Sequence, residues 1–370
     1  MTNGGSEMTA TKLTVGLIYG GKSGEHEVSL QTGFSVLNAI DYNKYNVVPI
    51  YIDPQGRWNM GEVYHGAPSQ LSDLQIDGGA EATSQAMSIL WEKLSGQTSE
   101  IDVLFPLLHG TYGEDGTIQG LFEMMDMPYV GAGVLASATG MDKAIMKKLF
   151  AQAHLPQCKY ETFIAKEWET QQYDILTTIE TNLGYPCFVK PANLGSSVGI
   201  SKAKDRNELE KAVDYALRYD LKVIVEEAVD GREIEVGVLG NELPLSSVPG
   251  EVVSTSDYYD YDAKYIDGTS KMVIPAEIDS ELAENLREFA IRAFRAIDGN
   301  GLCRADFFVR RSDGEIFINE VNTMPGFTAF SMYPLLWRET GTAYPDLLDQ
   351  LITLGIDRYN QRHELKYGRE

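Results

Sequence analysis

The sequence predicts an α/β and α+β protein of three domains that opens with a parallel sheet. Three observations point there. Apolar strands at Lys12–Tyr19 and Val47–Ile52 enclose a glycine-rich turn and an amphipathic helix, the order of a parallel α/β unit. Strands and helices of a different rhythm follow from 134 onward, ending in a β-hairpin near the C-terminus. The length of 370 residues, 43% hydrophobic and 23% charged, is enough for two or three packed cores. The expected divisions are a disordered tail at 1–12, domains at 13–133, 134–231 and 232–370, and a lid within the last at 254–270.

Composition narrows the function. The formal net charge of −23 argues against a broad nucleic-acid surface, so an anionic ligand would need local lysines and backbone amides. Cys158, Cys187 and Cys303 are widely spaced and form neither a disulfide framework nor a CxxC zinc pattern, which fits a reducing cytoplasm. Met1–Ala10 is polar and reads as a tail rather than a secretory leader. No apolar run approaches the roughly 20 residues that span a bilayer.

In chain order, Gly20–Ser29 follows the first strand with glycines at 20, 21 and 24, which is not the GxGxxG of a dinucleotide site. In a parallel sheet this turn lies at the ligand-binding edge. Glu25 there reads either as a helix-start charge or as a partner for a substrate ammonium. A strand at Ser99–Leu108 ends in a second glycine-rich turn, His109–Gly116, and Thr117–Met125 is helical. His109 alone fits a local hydrogen-bonding role. Met141–Ala153 is helical and stopped by Pro156, with the cation of Lys143 set unfavourably in its first turn.

Strands at Tyr160–Ile164, Pro186–Lys190 and Lys222–Glu226 surround a helix at Asn207–Tyr219. Lys190 to Gly199 is the most specific local motif. It lacks P-loop order, but its small residues, Ser196 and Ser197 among them, let backbone amides approach phosphate oxygens, and Lys190 adds a charge at the end of an apolar strand. Glu226, Glu227, Ala228, Val229 and Glu233 form a junction that reads as an acidic surface connection on spacing alone. Ser254–Ser270 is crowded with Tyr258, Tyr259, Tyr261 and Tyr265 beside Lys264, and a long irregular segment of this kind is a binding loop or lid. Helices are expected at Glu281–Ala296 and Thr342–Ile356.

The hairpin carries the densest chemistry. Leu302–Val309 and Glu315–Asn322 flank an Asp313-Gly314 turn. Asp306 and Glu320 are equidistant from position 313, so they face each other across the ladder with Cβ atoms about 5 Å apart. Alternation places Arg304, Asp306, Phe308, Ile318, Glu320 and Asn322 on one face, and Cys303, Ala305, Phe307, Val309, Phe317 and Val321 on the other with Asn319 as the polar exception. Opposed carboxylates call for neutralisation. A divalent cation with Asn322 as a third oxygen ligand supplies it; the alternatives are solvation on an exposed face and a glycine-associated bulge that shifts the register by one residue. The exit turn Asn322–Thr328 offers the Gly326 amide, with Ser331 beyond, for a carboxylate or oxyanion.

The ordered motifs GGKSGEHEVS, LHGTYGEDG, MDK, FVKPANLGSSVG, YYDYDAKY, CRADFF and NEVNTMPGFT span about Leu13 to Ile356. Together they resemble the ATP-grasp superfamily and, within it, the D-alanine–D-alanine ligases. The resemblance implies a Rossmann-like N-terminal sheet followed by a central and C-terminal ATP-grasp pair that clamps ATP. Lys143 and Lys190 would hold the α- and β-phosphates, Lys264 would reach the γ-phosphate, Glu226–Val229 would bind the adenine and Glu233 the ribose, with Ser196, Ser197 and Phe308 completing the nucleotide side. Asp306, Glu320 and Asn322 would ligate two Mg²⁺ (or Mn²⁺). Glu25 would anchor the first D-alanine's ammonium, Arg304 and Gly326 the reacting oxygens, and Ser331 with the Met332 amide the second carboxylate, with His109 and Tyr259 on the substrate side. Glu25, Ser196 and Tyr265 would lock the lid. A cytoplasmic homodimer without nucleic-acid or membrane partners is implied. Another ATP-grasp carboxylate–amine ligase, a D-alanine–D-lactate ligase, a nucleotide sensor and a dehydrogenase are the rivals, the last disfavoured by the glycine spacing. In this family a tyrosine at position 265 accompanies dipeptide formation and a phenylalanine accompanies D-lactate ester formation. Tyr265→Phe is expected to raise D-lactate use in a competition assay with D-alanine, and an unchanged product ratio rejects that role.

Overall fold

The computed structural model describes residues 12–77, 88, 101–253, 271–366 and 368. The expected tail, and the expected lid with Tyr259, Lys264 and Tyr265, lie outside the described residues. The described residues form a mixed α/β fold built on three sheets.

The first sheet has the order β3-β2-β1-β4, from β1 (Leu13–Gly20), β2 (Tyr45–Ile52), β3 (Trp58–Met60) and β4 (Val103–Pro106). β1 runs parallel to β2 and β4. Its alternation serves two cores: Val15, Leu17 and Tyr19 join one cluster, while Ile18 joins Val48 and Ile50 on the other face. Helix α1 (His26–Ala39) covers the first face and α2 (Thr117–Met124) the second, through Ile118 and Phe122. The expectation of a parallel sheet needs one correction, because β3 pairs antiparallel with β2. The Asp53 carboxylate accepts from the amides of Gln55 and Arg57, each at 2.9 Å, and closes a turn too short for a parallel crossover.

Helices α3 (Val134–Met141) and α4 (Lys143–Gln152) lead to the second sheet, of order β5-β8-β6-β7. It comprises β5 (Tyr160–Ile164), β6 (Cys187–Pro191), β7 (Ser201–Ala203) and β8 (Lys222–Glu227) in antiparallel pairing. Helices α5 (Ala165–Asn182) and α6 (Arg206–Ala216) cover it with Trp168, Ile179, Leu209 and Val213. The motif reading passes over α5. Its fully buried positions are only Trp168, Leu176 and Ile179, and its backbone leaves helical geometry at Gln171, so its apolar period is faint.

The third sheet has the order β11-β10-β9-β12-β13. Its strands are β9 (Gly231–Gly240), β10 (Leu245–Val253), β11 (Lys271–Val273), β12 (Gly301–Arg310) and β13 (Ile316–Asn322). Ile234, Val236, Val238, Cys303, Ala305, Phe307 and Val309 face a core closed by Leu286, Ala290 and Phe294 of α7 (Ser280–Ala296) and by Met146 and Phe150 of α4. Helices α8 (Met332–Thr340) and α9 (Tyr344–His363) follow, and α9 packs Leu347, Leu348, Leu351 and Ile352 into the core of the first sheet. β10 and α8 were not anticipated. A register shift between Ser246 and Pro249 breaks the alternation of β10.

In the hairpin Asp306 does pair with Glu320, and Arg304 with Asn322. The register then shifts, so that Phe307 pairs with Ile318 and Phe308 with Phe317. Asn319 is the extra residue of a bulge, which corrects the expected faces: Ile318 turns into the core beside Phe307, and Phe317 stands with Phe308. The bulge also accounts for a polar residue on what reads as an apolar face.

Gly20, at φ 94°, ends β1 where a Cβ would overlap the Ile52 carbonyl oxygen. Gly20→Ala combines a left-handed penalty with that overlap and is expected to cost about 3 kcal/mol. A urea midpoint within error of wild type would reject this account.

Candidate active site

Ser29 Oγ donates to the Leu107 carbonyl at 2.5 Å and accepts from the Gly20 amide at 2.8 Å, which joins the ends of β1 and β4. The two glycine-rich turns therefore open side by side. Ser23 Oγ donates to the His109 carbonyl at 2.7 Å. Glu25 lies between the turns and accepts a short hydrogen bond from Ser196 Oγ of the loop after β6. A Cβ on Gly110 would come within 2.5 Å of the Glu25 carboxylate, so only glycine admits it so closely there. Ser196 and Ser197 hold left-handed backbone angles, φ 53° and 58°, as the loop turns towards Glu25.

Lys143 begins α4 behind Asp142, whose carboxylate caps the amides of Ala144 and Ile145 at 3.1 Å each. The Lys143 ammonium donates to the Leu194 carbonyl at 2.9 Å and lies 3.4 Å from Glu320. These partners hold a cation at a helix N-terminus, where the dipole opposes it. Lys190, buried at the end of β6, bonds Glu226 at 2.5 Å. The other Glu226 oxygen meets Lys147 at 3.0 Å. Burial opposes the charge of Glu226, but Lys147 and Lys190 outweigh it and hold the carboxyl down at about 2. Burial likewise opposes the charge of Lys190, and Glu226, then Glu320, hold it above the ordinary lysine range.

The face of β9, β12 and β13 opposite the core under α7 and α4 forms a polar strip. Glu235, Asp306 and Glu320 stand in register across the three strands. Arg304 grips Asp306 through Nε and Nη2, each at 2.7 Å, and its Nε lies 3.0 Å from Glu235. Asn322 Nδ2 donates to Asp306 at 2.9 Å. Two residues along in the other direction, Phe308 pairs with Glu233. From Phe308 to Arg304 the strip runs about 13 Å, at roughly 3.3 Å per residue. Among the described residues no three His, Cys, Asp or Glu side chains gather as a metal site. The expected set brings together two carboxylates and an amide.

The exit turn is tied to the second glycine-rich turn. His109 Nδ1 donates to the Met324 carbonyl at 3.1 Å, and Glu114 accepts from the Met324 amide at 3.0 Å and the Gly110 amide at 2.7 Å. A carbonyl only accepts, so Nδ1 carries a proton; in the neutral ring Nε2 is then bare, 3.0 Å from Thr32 Oγ1, whose single proton is shared with the Val28 carbonyl at 2.9 Å. Burial lowers the His109 pKa and favours this neutral form. Ser331 Oγ accepts from the Thr328 amide at 3.1 Å and lies beside Gly326, and Met332 is buried in the first turn of α8.

Glu25, Ser196, His109 and Gly110 thus come together, as do Lys190 with Glu226, Lys143 with Glu320, and Arg304 with Asp306 and Asn322. Glu227 bonds the Lys159 amide at 2.8 Å, while Ala228 and Val229 continue the connection from β8 to β9. The motif reading missed Glu114, Asp142, Lys147 and Glu235. Glu114 lay inside LHGTYGEDG, and Glu235 alternates with Glu233 on an otherwise apolar strand. Lys147 follows Lys143 by four residues, on the same helix face.

A family model described as D-ala D-ala ligase C-terminus matches residues 149–353, and one described as D-ala D-ala ligase N-terminus matches residues 14–132. The chain belongs to the D-alanine–D-alanine ligase family. A ligase of this name from Bacillus cytotoxicus is 54% identical over 360 residues, covering 96% of this chain and 99% of its own. Another, from Geobacillus kaustophilus, is 50% identical over 360 residues, covering 96% and 98%. The D-alanine–D-alanine ligase structure from Coxiella burnetii superposes with a TM-score of 0.77 at 33% identity, over 96% of this chain and 97% of that one. The VanG D-Ala:D-Ser ligase from Enterococcus faecalis reaches 0.79 at 34% identity, over 93% and 100%.

Within this ligase, Glu114 has a testable signature. Burial, then the Glu25 charge, push its carboxyl up to about 8. A raised folded pKa gives stability that is complete below the unfolded value near 4.5 and is lost as pH rises towards 8. Glu114→Gln removes that slope, so the stability advantage of wild type over the variant is expected to shrink between pH 5 and 8. Urea midpoints across this range measure it, and a constant or widening gap rejects it.

Proposed function

We propose that the chain joins two D-alanine molecules into D-alanyl-D-alanine through an acyl phosphate, releasing ADP and phosphate for peptidoglycan precursor synthesis. The observation that carries this reading is the strip on β9, β12 and β13, with Lys143 3.4 Å from its Glu320 and Lys190 under the charge of the same carboxylate. In this reading the first of three domains has a Rossmann-like sheet, and the second and third sheets form an ATP-grasp pair.

A carboxylate resists nucleophilic attack, so ATP must first make it an acyl phosphate. That step brings anions together, and Lys143 and Lys190 offset the charge of the phosphates. Glu226–Val229 pair with adenine, Glu233 takes the ribose hydroxyls, Phe308 underlies the base, and Ser196 and Ser197 offer loop amides. Glu25 anchors the ammonium of the first D-alanine, with His109 supporting the turn beside it. Arg304 and the Gly326 amide stabilise the oxygens that become charged, and Ser331 with the Met332 amide holds the second carboxylate. The donors of Asp306, Glu320 and Asn322 are hard oxygens on one face, which suits Mg²⁺ or Mn²⁺ once Arg304 turns from Asp306 to substrate. When bound, two such ions would neutralise phosphate charge. Tyr259, Lys264 and Tyr265 belong to this reading through the sequence alone.

The protein works in the cytoplasm, and no helix among the described residues is long and apolar enough to cross a membrane. A homodimer is supported by Leu121, Met124, Val134 and Leu135, exposed apolar residues on the packed helices α2 and α3.

Phosphate release from ATP and Mg²⁺ is expected with D-alanine and not with L-alanine or without amino acid, and release independent of D-alanine overturns the proposal. Asp306→Asn is expected to lower kcat about 100-fold or more while leaving the urea midpoint near wild type. Near-normal turnover removes Asp306 from the site.

A further inference from the structure

The Glu226 carboxylate has more cations than it needs. Lys147 meets one oxygen at 3.0 Å and Lys190 the other at 2.5 Å, giving two ammonium groups to one carboxylate. Lys147 is wholly buried, at 0% exposure, and its remaining neighbours are the Cys158 thiol at 3.6 Å and the face of Tyr160 at 5.6 Å. It has no path to a ligand. Lys190 differs: it retains 9% exposure and also feels the charge of Glu320 on the strip. A single lysine would neutralise Glu226, and the nearby Glu320 is already paired with Lys143, so three buried lysines share two carboxylates, an unfavourable excess of buried cations. Stability alone therefore does not explain Lys147.

The pair becomes intelligible if Lys190 changes partner. Were Lys190 the sole counter-ion, its transfer to a phosphate would strand a buried carboxylate, and breaking a buried pair that way is strongly unfavourable. With Lys147 fixed on the other oxygen, Glu226 stays neutralised whether Lys190 is present or not. We propose that Lys147 is a standing counter-ion that releases Lys190 from Glu226 for the nucleotide phosphates. Lys147 is then a positioning residue that touches no substrate. The inference rests on the reading of Lys190 as a phosphate ligand.

The test is direct binding of ATP and adenosine with Mg²⁺ and no D-alanine, by displacement of a fluorescent nucleotide, with thermal midpoints as the folding control. Lys147→Met leaves Glu226 holding Lys190 alone. It is expected to weaken ATP about tenfold, the size of one charge contact, and adenosine by less than about twofold, because adenosine has no phosphate. Lys147→Arg keeps the cation and restores ATP affinity. In a Glu226→Gln background there is no carboxylate to neutralise, so adding Lys147→Met is expected to change ATP affinity no further. This cycle also serves if Lys147→Met by itself proves too unstable to measure. Wild-type ATP affinity in Lys147→Met, equal losses of ATP and adenosine, or a full further loss in the Glu226→Gln background each overturn the proposal. Lys190→Met separates the two readings. Unchanged ATP affinity there overturns the phosphate site and this inference with it. Weakened affinity there, with wild-type affinity in Lys147→Met, overturns the counter-ion role alone.

Discussion

The burial of one face of β12 governs the rest of the site. Cys303, Ala305, Phe307 and Val309 are all at most 4% exposed, packed under α7 and α4. Because a strand alternates, fixing these four residues fixes the direction of Arg304, Asp306 and Phe308 as well. β9 and β13 lie on either side in register and add Glu233, Glu235, Glu320 and Asn322 to the same face. Polar groups that must hold their spacing to within fractions of an ångström are thus carried by apolar packing behind them. A slip of one residue would send the carboxylates into the core, at a far greater cost than any loss of hydrogen bonds on the strip.

This frame explains how the other sheets reach the strip. Each approaches through a turn whose polar groups are satisfied by a partner from elsewhere in the chain. Lys143 reaches Glu320, Ser196 reaches Glu25, and His109 and Glu114 together take the carbonyl and amide of Met324. The last contact bonds both sides of one residue's backbone, so it fixes the start of the exit turn in orientation as well as position. Gly326 and Ser331 follow within that turn. The bond from Ser331 to Thr328 keeps its hydroxyl beside Gly326 instead of on the helix that it precedes.

What was legible in the sequence follows the range of the interactions concerned. The pairing of Asp306 with Glu320 follows from taking 313 as the midpoint of the hairpin, although next to the turn the register is one residue off and the bulge restores it. A bulge in this hairpin was an open alternative, but its place at Asn319 was not legible, because Ile316, Phe317 and Ile318 are all apolar and suit either face. It showed only as a polar residue on an apolar face. The glycine-rich turns were readable as turns, while the purpose of Glu114 was not, since its partner Met324 lies 210 residues away. β10 and α5 escaped for a local reason: an irregular register in one and a sparse apolar stripe in the other weakened the periodicity that marks an element.

The lysines show most clearly how charge is distributed. A chain of net charge −23 repels anions at a distance, yet Lys143, Lys147, Lys190 and Arg304 cluster around the strip. Each is held by a carboxylate, namely Glu320, Glu226 or Asp306. The cations are therefore stored in the buried site as ion pairs and are not exposed to bulk solvent. On the proposed reading, an incoming phosphate or carboxylate would have to compete with those resident carboxylates, and would succeed only where the pair can separate without leaving a bare charge behind. Lys147 meets that condition for Glu226, and a divalent cation would meet it for Asp306. The same acidic residues that hold the lysines in place would then select ligands that arrive with enough charge, or with metal ions, to displace them.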